Sequence, residues 1–223
     1  MPTPREAWLV LGATARVLRD SNRITDIHLV ADITSRERFA ALLRKQRAGG
    51  KEPEILAARP EIDDTTVDFA ALRQLPETTL GGAYVRHLDR NALSIYTDAT
   101  SRKFVHDADV RYLIHRYRQT HDIWHVLVGV GTKGHEEVLL HAFTLGLMGL
   151  PVSAMIVALG SVKHIVLERR WRALRHGLRE AFVNGRAAAP LVTVRWENLW
   201  DRPLDSVREQ FAIRPCNPAF VSG

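Results

Sequence analysis

Cysteine is almost absent from the 223-residue chain: Cys216 stands alone. An internal disulfide is therefore excluded, and a single thiol fits a reducing compartment. No bridge is needed, because a chain of this length should bury roughly 70% of the surface its unfolded form exposes. Export and import signals are not apparent either. Arg5 and Glu6 precede only a short apolar run, Ala7 to Ala13, without a cleavage-like end, which argues against a secretory leader. Acidic Glu6 and Asp20 argue against a mitochondrial transit segment. The expectation is a cytoplasmic protein, of bacterial type. Internal repeats and low-complexity tracts are missing too, and 46% hydrophobic with 25% charged residues is an ordinary globular composition. The net charge of +6 favours an acidic partner, but zinc-finger spacing, aromatic RNP-type runs and basic-zipper heptads do not occur, which puts nucleic acid behind the other candidates. Anionic lipid or an anionic substrate remains, beside the alternative of a solvated arginine-rich surface.

The longest absence is of charge. Residues 138–162 contain no Lys, Arg, Asp or Glu, which is long enough to test as a membrane span. Against a span stand Pro151, Gly146, Gly149, Gly160 and the polar His141, Thr144, Ser153 and Ser161. The stretch reads instead as two apolar helices meeting at Gly149-Leu150-Pro151. Most of the remaining chain also reads as helix. Trp8, Leu11, Ala15 and Leu18 mark one helix over Arg5 to Arg19, interrupted by Gly12. Phe39, Leu42 and Leu43 mark a second that starts at about Ser35 and stops at Gly49-Gly50-Lys51. Residues 21–33 and 51–76 look less regular. Thr78 is placed to cap a helix through Tyr84, Val85 and Leu88 to about Arg90. An arginine-rich helix is expected from Glu168 to about Val183, ended by Asn184-Gly185. Leu191 to Arg195 reads as a short extended segment, and Asp205 to Phe211 as a last helix.

Chemistry is concentrated after Asp107. Val110, Leu113, Ile114, Tyr117, His121, Trp124, His125 and Val128 fall mostly at steps of three or four, one stripe on a helix of about six turns. Two histidines thus take places where the pattern calls for core residues. Their i, i+4 spacing puts both rings on one face, as a divalent cation requires. Asp122 lies about 100° further round, placed to be a ligand or to orient one. Glu137 would lie ~18 Å away on an unbroken helix, but Gly129, Gly131 and Gly134 allow the chain to reverse. A helix from about Gly134 would then return Glu137 to the histidines, with His141 one turn below it. Burying four such polar groups without an ion would cost several kcal/mol; satisfied core histidines are the alternative. Three look-alikes stay open at this point. His121-Asp-Ile-Trp-His125 is similar to the zinc-protease pattern H-E-x-x-H, with Asp for Glu. His121-Asp122 alone resembles the HD phosphohydrolases, whose further ligand clusters have no counterpart here. Gly129-Val-Gly131-Thr-Lys-Gly134 matches G-x-G-x-x-G in letters, but it follows a helical stripe rather than a strand.

The run Tyr117-Arg-Gln-Thr-His121-Asp122-Ile-Trp-His125, with Glu137 after eleven more residues, resembles the H-D-x-x-H-x11-E signature of the coenzyme Q biosynthesis protein 4 family. Ile55-Leu-Ala-Ala-Arg-Pro60, Leu75-Pro76, Gly82 to Asp89, Gly149-Leu-Pro151, Asn184-Gly-Arg186 and Trp196-Glu197 with Trp200 are similar to family segments in the same order. The resemblance covers about residues 51–213, after N-terminal helices over 1–50 and before a tail over 214–223. Two departures are Glu180-Ala-Phe-Val, where members often carry tryptophan, and Thr144, where an acidic residue can occur.

What the resemblance implies is an all-α, single-domain helix bundle, with a metal site between two helices and an apolar groove for a polyprenyl chain. It implies a divalent metal, zinc favoured with iron or manganese as alternatives, on His121, Asp122, His125 and Glu137. Substrate contacts are expected from His141, Leu145 and Met148. The implied activity is removal of the C1 carboxylate from a polyprenylated hydroxybenzoate precursor of ubiquinone, coupled to hydroxylation at that carbon. A non-catalytic scaffold presenting the precursor to other ubiquinone-biosynthesis enzymes is the second reading, and a decarboxylase of another prenylated acid the third. Zinc has no redox chemistry, so hydroxylation would need an electron-rich substrate reacting directly, or iron or manganese in the site. A homodimer is expected, associated peripherally with the inner membrane through a positive surface that includes Arg169, Arg170, Arg172, Arg175 and Arg179.

Overall fold

The structure is a computed structural model that describes residues 2–20, 23–49, 54–168 and 171–217, with the backbone alone for 163–168 and 171–173. Among the described residues there are ten α-helices and no strand. The N-terminal pair is α1 (Pro4–Arg19) and α2 (Ile24–Ala48); the short α3 (Glu54–Ala58) and α4 (Phe69–Gln74) lead to α5 (Leu80–Asn91). The centre is α6 (Ala108–Val128), followed by α7 (Gly134–Met148), α8 (Pro151–Glu168) and α9 (Trp171–Ala187), and α10 (Leu204–Gln210) closes the chain. The expected all-α class holds.

Capping chemistry starts α1. The Glu6 N–H donates to Thr3 Oγ1 and the Thr3 N–H to Glu6 Oε2, a reciprocal box with Pro4 at the first helical position. Glu6 also receives both terminal nitrogens of Arg36, at 2.6 and 2.9 Å, which ties α1 to α2. The second helix begins at Ile24, eleven residues before the expected Ser35. Polar Asp32 interrupts the apolar pattern there, but Arg118 of α6 satisfies it at 2.7 Å inside the core. Thr79 rather than Thr78 caps α5, accepting from the Gly82 N–H.

The stripe read on α6 is in fact most of its circumference: 15 of its 21 residues are buried, as befits a central helix. Even Arg116 is fully buried, because Glu197 takes its guanidinium at 2.7 and 2.8 Å. The segment around Trp196 is a 3-10 turn over Trp196–Asn198, and Leu191 to Arg195 forms no strand.

The uncharged stretch divides as expected into α7 and α8, broken at Gly149, where φ is +66°. Among the described residues no helix is long and apolar enough to cross a membrane. Two glycines explain how α7 and α9 approach so closely: a Cβ on Gly146 would meet the Phe182 carbonyl oxygen, and one on Gly185 the Phe143 carbonyl oxygen. Gly185 is therefore a contact inside α9 and not its end, which corrects the expected stop at Asn184-Gly185. Of the expected basic surface, Arg175 and Arg179 are exposed on α9, while Arg169, Arg170 and the Arg172 side chain lie outside the described residues.

Candidate metal centre

The site is assembled by a helix reversal. At its end α6 turns on Gly129 in the left-handed region (φ +73°), whose N–H donates to the His125 carbonyl. Glu136 then closes the loop, its carboxylate accepting from the N–H groups of Gly131 and Lys133, both at 3.0 Å. The G-x-G-x-x-G letters thus encode a turn between helices and not a dinucleotide loop.

This turn returns Glu137 to the histidines. Its Oε1 lies 3.3 Å from His125 Nε2 and its Oε2 3.6 Å from His121 Nε2. One ligand atom from each of the three residues lies within 4.8 Å of the other two. Asp122 is not in this converging set among the described residues. Its charge acts on His87 and Tyr84 of α5 as well as on His121. His125 is 1% exposed, whereas the side chains of His121 and Glu137 are 24% and 34% exposed, so the site opens on one side.

The donors fit a cation. Both ring nitrogens of buried His125 lack a hydrogen-bond partner, so the 3.3 Å approach of Glu137 is not an aligned hydrogen bond. Tetrahedral ligands bound at 2.0–2.1 Å stand roughly 3.3 Å apart, close to the two separations here. Burial opposes charge on Glu137, but the two imidazoles hold its carboxyl well below the usual range. Burial likewise opposes charge on His121, and Glu137 more than offsets it, raising that imidazole.

Of the expected substrate residues, His141 packs on His121 with ring centroids 5.8 Å apart, and its Nδ1 is 3.1 Å from Ser153 Oγ. Burial, and then His121, push His141 down to about 3. Leu145 and Met148 follow at i+4 and i+7 on the same face of α7; Met148 is buried and Leu145 half-buried. Sequence reasoning missed His87, which stacks on His125 at 5.2 Å from α5. The signal was available: His87 follows Tyr84 by three residues on the buried face of that helix.

Comparison with known proteins identifies the family. The profile of the coenzyme Q (ubiquinone) biosynthesis protein Coq4 matches residues 3–217. The chain belongs to that family. The Coq4 match begins near the N-terminus and so takes in α1 and α2, beyond the 51–213 of the sequence resemblance. Among curated relatives, the mitochondrial ubiquinone biosynthesis protein COQ4 homolog of Mus musculus is 31% identical, over 99% of this chain and 82% of its own. The Homo sapiens homolog, also named mitochondrial, is 30% identical over 98% and 82%. A crystal structure from Nostoc punctiforme, described as of a ubiquinone biosynthesis protein, shares the fold with a TM-score of 0.72 at 23% identity, covering 91% of this chain and 96% of that one.

These relatives correct one expectation. Their names place them in mitochondria, against the cytoplasmic location and the inner (cytoplasmic) membrane expected above. Of the two acidic residues that argued against a transit segment, Glu6 has a structural use: it caps α1 and binds Arg36. Its charge reports on the folding of α1, not on targeting.

Proposed function

We propose that this Coq4-family protein of ubiquinone biosynthesis is a metal-dependent enzyme that removes the C1 carboxylate of a polyprenylated hydroxybenzoate precursor, coupled to hydroxylation of that carbon. The observation that carries the reading is the convergence of His121, His125 and Glu137 within 4.8 Å on an interior patch open at one side. Three donors leave room for a further ligand, as catalytic rather than structural sites do. A divalent cation held there would supply a Lewis acid for a carboxylate or phenolate oxygen. Zinc suits the two nitrogens and one carboxylate; iron or manganese would suit the oxidative half.

The chain's own residues have separable tasks. His125, buried, anchors the site, and Glu137 contributes the negative charge. Asp122 biases the imidazoles electrostatically. His141 packs beside His121, and from it Leu145 and Met148 continue along α7 where an apolar tail would lie.

The test is metal content joined to turnover of a 3-polyprenyl-4-hydroxybenzoate. Glu137→Gln and His125→Ala should each weaken zinc retention by at least tenfold and abolish turnover. Wild-type protein that binds no divalent ion ends the proposal. Metal retained without turnover of any prenylated acid would favour the presenting scaffold.

A further inference from the structure

Two imidazoles outside the triad press on it, and their polar atoms are differently placed. His141 has Ser153 against its Nδ1. His87 stacks on His125, ring centroids 5.2 Å apart and planes at 24°, and its Nε2 is buried with no hydrogen-bond partner in the protein. A buried polar nitrogen left in that way is destabilising unless something supplies the bond.

Its surroundings indicate what does. His87 lies within electrostatic reach of His121, Asp122, His125 and Glu137 together. It is outside the set of converging ligand atoms, and a stacked ring does not direct its nitrogen at its neighbour. His87 is thus beside the metal site and not part of its donor set. A group bound at the triad, beside the ring that stacks on His87, would bring a new acceptor to this side of α5. A carboxylate suits both places, since one oxygen can meet a cation while the other remains free to accept. An imidazole can carry its proton on either nitrogen, and an anionic oxygen selects the Nε2–H form.

We propose that His87 is a substrate-binding residue, whose Nε2–H donates to a carboxylate oxygen of the aromatic acid bound at the His121–His125–Glu137 site. The inference rests on the metal-dependent function proposed above and names the residue that would distinguish an acid from its neutral analogues. It also gives α5 a functional role, since that helix contributes nothing to the converging ligand atoms.

The experiment titrates zinc into the full-length chain, then titrates the zinc-loaded protein with 3-geranyl-4-hydroxybenzoate and with its methyl ester. The variants are His87→Phe, which keeps a stacking ring without a donor, and His87→Gln, which restores an N–H; circular dichroism checks that each is folded. The expected result is zinc affinity within about twofold of wild type for His87→Phe, acid affinity lower by about tenfold or more, and ester affinity little changed. His87→Gln should recover part of the loss. The proposal is overturned if His87→Phe binds the acid as wild type does, if acid and ester weaken alike, or if zinc itself is lost, which would make His87 a prop for His125. Zinc-loaded wild type that does not bind the acid also overturns it, yet leaves the metal reading standing. Failure of wild type to take zinc is a separate result and removes that reading first.

Discussion

Replacing Gly185 by alanine sets two known effects against each other, and the structure decides which wins. In a helix interior, Gly→Ala gains at most about 1 kcal/mol from backbone entropy and propensity. Gly185 is near the end of α9, so the gain there is smaller. Against it, the new methyl would meet the Phe143 carbonyl oxygen and approach the Leu147 nitrogen, both backbone atoms of α7. Neither can rotate aside, so the helices must separate, and overpacking of this kind costs about 1–3 kcal/mol. Gly185→Ala should therefore lose about 1–2 kcal/mol net. Gly12→Ala is the counterpart: inside α1, its methyl would meet only the Arg16 Nη1 at 3.4 Å, an ordinary contact with a flexible end. That variant should gain up to about 1 kcal/mol. Urea denaturation with an unchanged m-value measures both. Because α7 carries Glu137, Gly185→Ala should weaken zinc binding as well, whereas Gly12→Ala should not. A Gly185→Ala protein as stable as wild type would refute the claim that α7 and α9 touch backbone to backbone.

Acid should probe the α1–α2 tie: hydrogen bonds from Arg36 hold the Glu6 carboxyl down to about 2 from 4.5. Its stabilisation is complete above about pH 4.5 and lost as pH falls through 2, so the deficit of Glu6→Gln, about 1 kcal/mol near neutrality after solvent screening, should vanish across that window in acid titrations of stability. Burial pushes the Cys216 thiol up to about 11 from 9.0, which lowers its thiolate fraction at neutral pH roughly a hundredfold. Alkylation by iodoacetamide should be slower by that order in native than in unfolded protein, and equal rates would contradict the packing of residues 211–217.

What could be read from the sequence was whatever is decided locally. The ends of α6, the reversal at Gly129 and the break at Gly149 follow from caps, glycines and periodicity within a few residues. The first half of α2 was not legible, because Asp32 finds its partner in Arg118, 86 residues away, and no local pattern announces that. Gly185 read as a stop for the same reason: its use is the neighbouring helix. Within the site, the two imidazoles were fixed by their i, i+4 spacing and Glu137 by the turn. Asp122, about 100° further round the helix, was read as a ligand or as a group that orients one; it lies outside the converging set among the described residues. His87 arrives from another helix, and nothing in the motif refers to it.

The position of Glu137 against His125 depends on how firmly the end of α6 is held, and the holding residues are remote in sequence. Its last carbonyls would be left unpaired by the turn. Arg208 of α10 donates to those of Val126 and Leu127, both at 2.9 Å, and the Cys216 N–H donates to that of Val128 at 2.7 Å. Pro215 packs beside Gly129, where a Cβ would come within 3.3 Å of it. Residues 208–216 therefore do for one end of the reversal what Glu136 does for the other. Part of the expected 214–223 tail is thus a clamp on the metal centre. The site is local in its donors, which among the described residues come from two helices, but not in its support, which reaches it from residues 208–216.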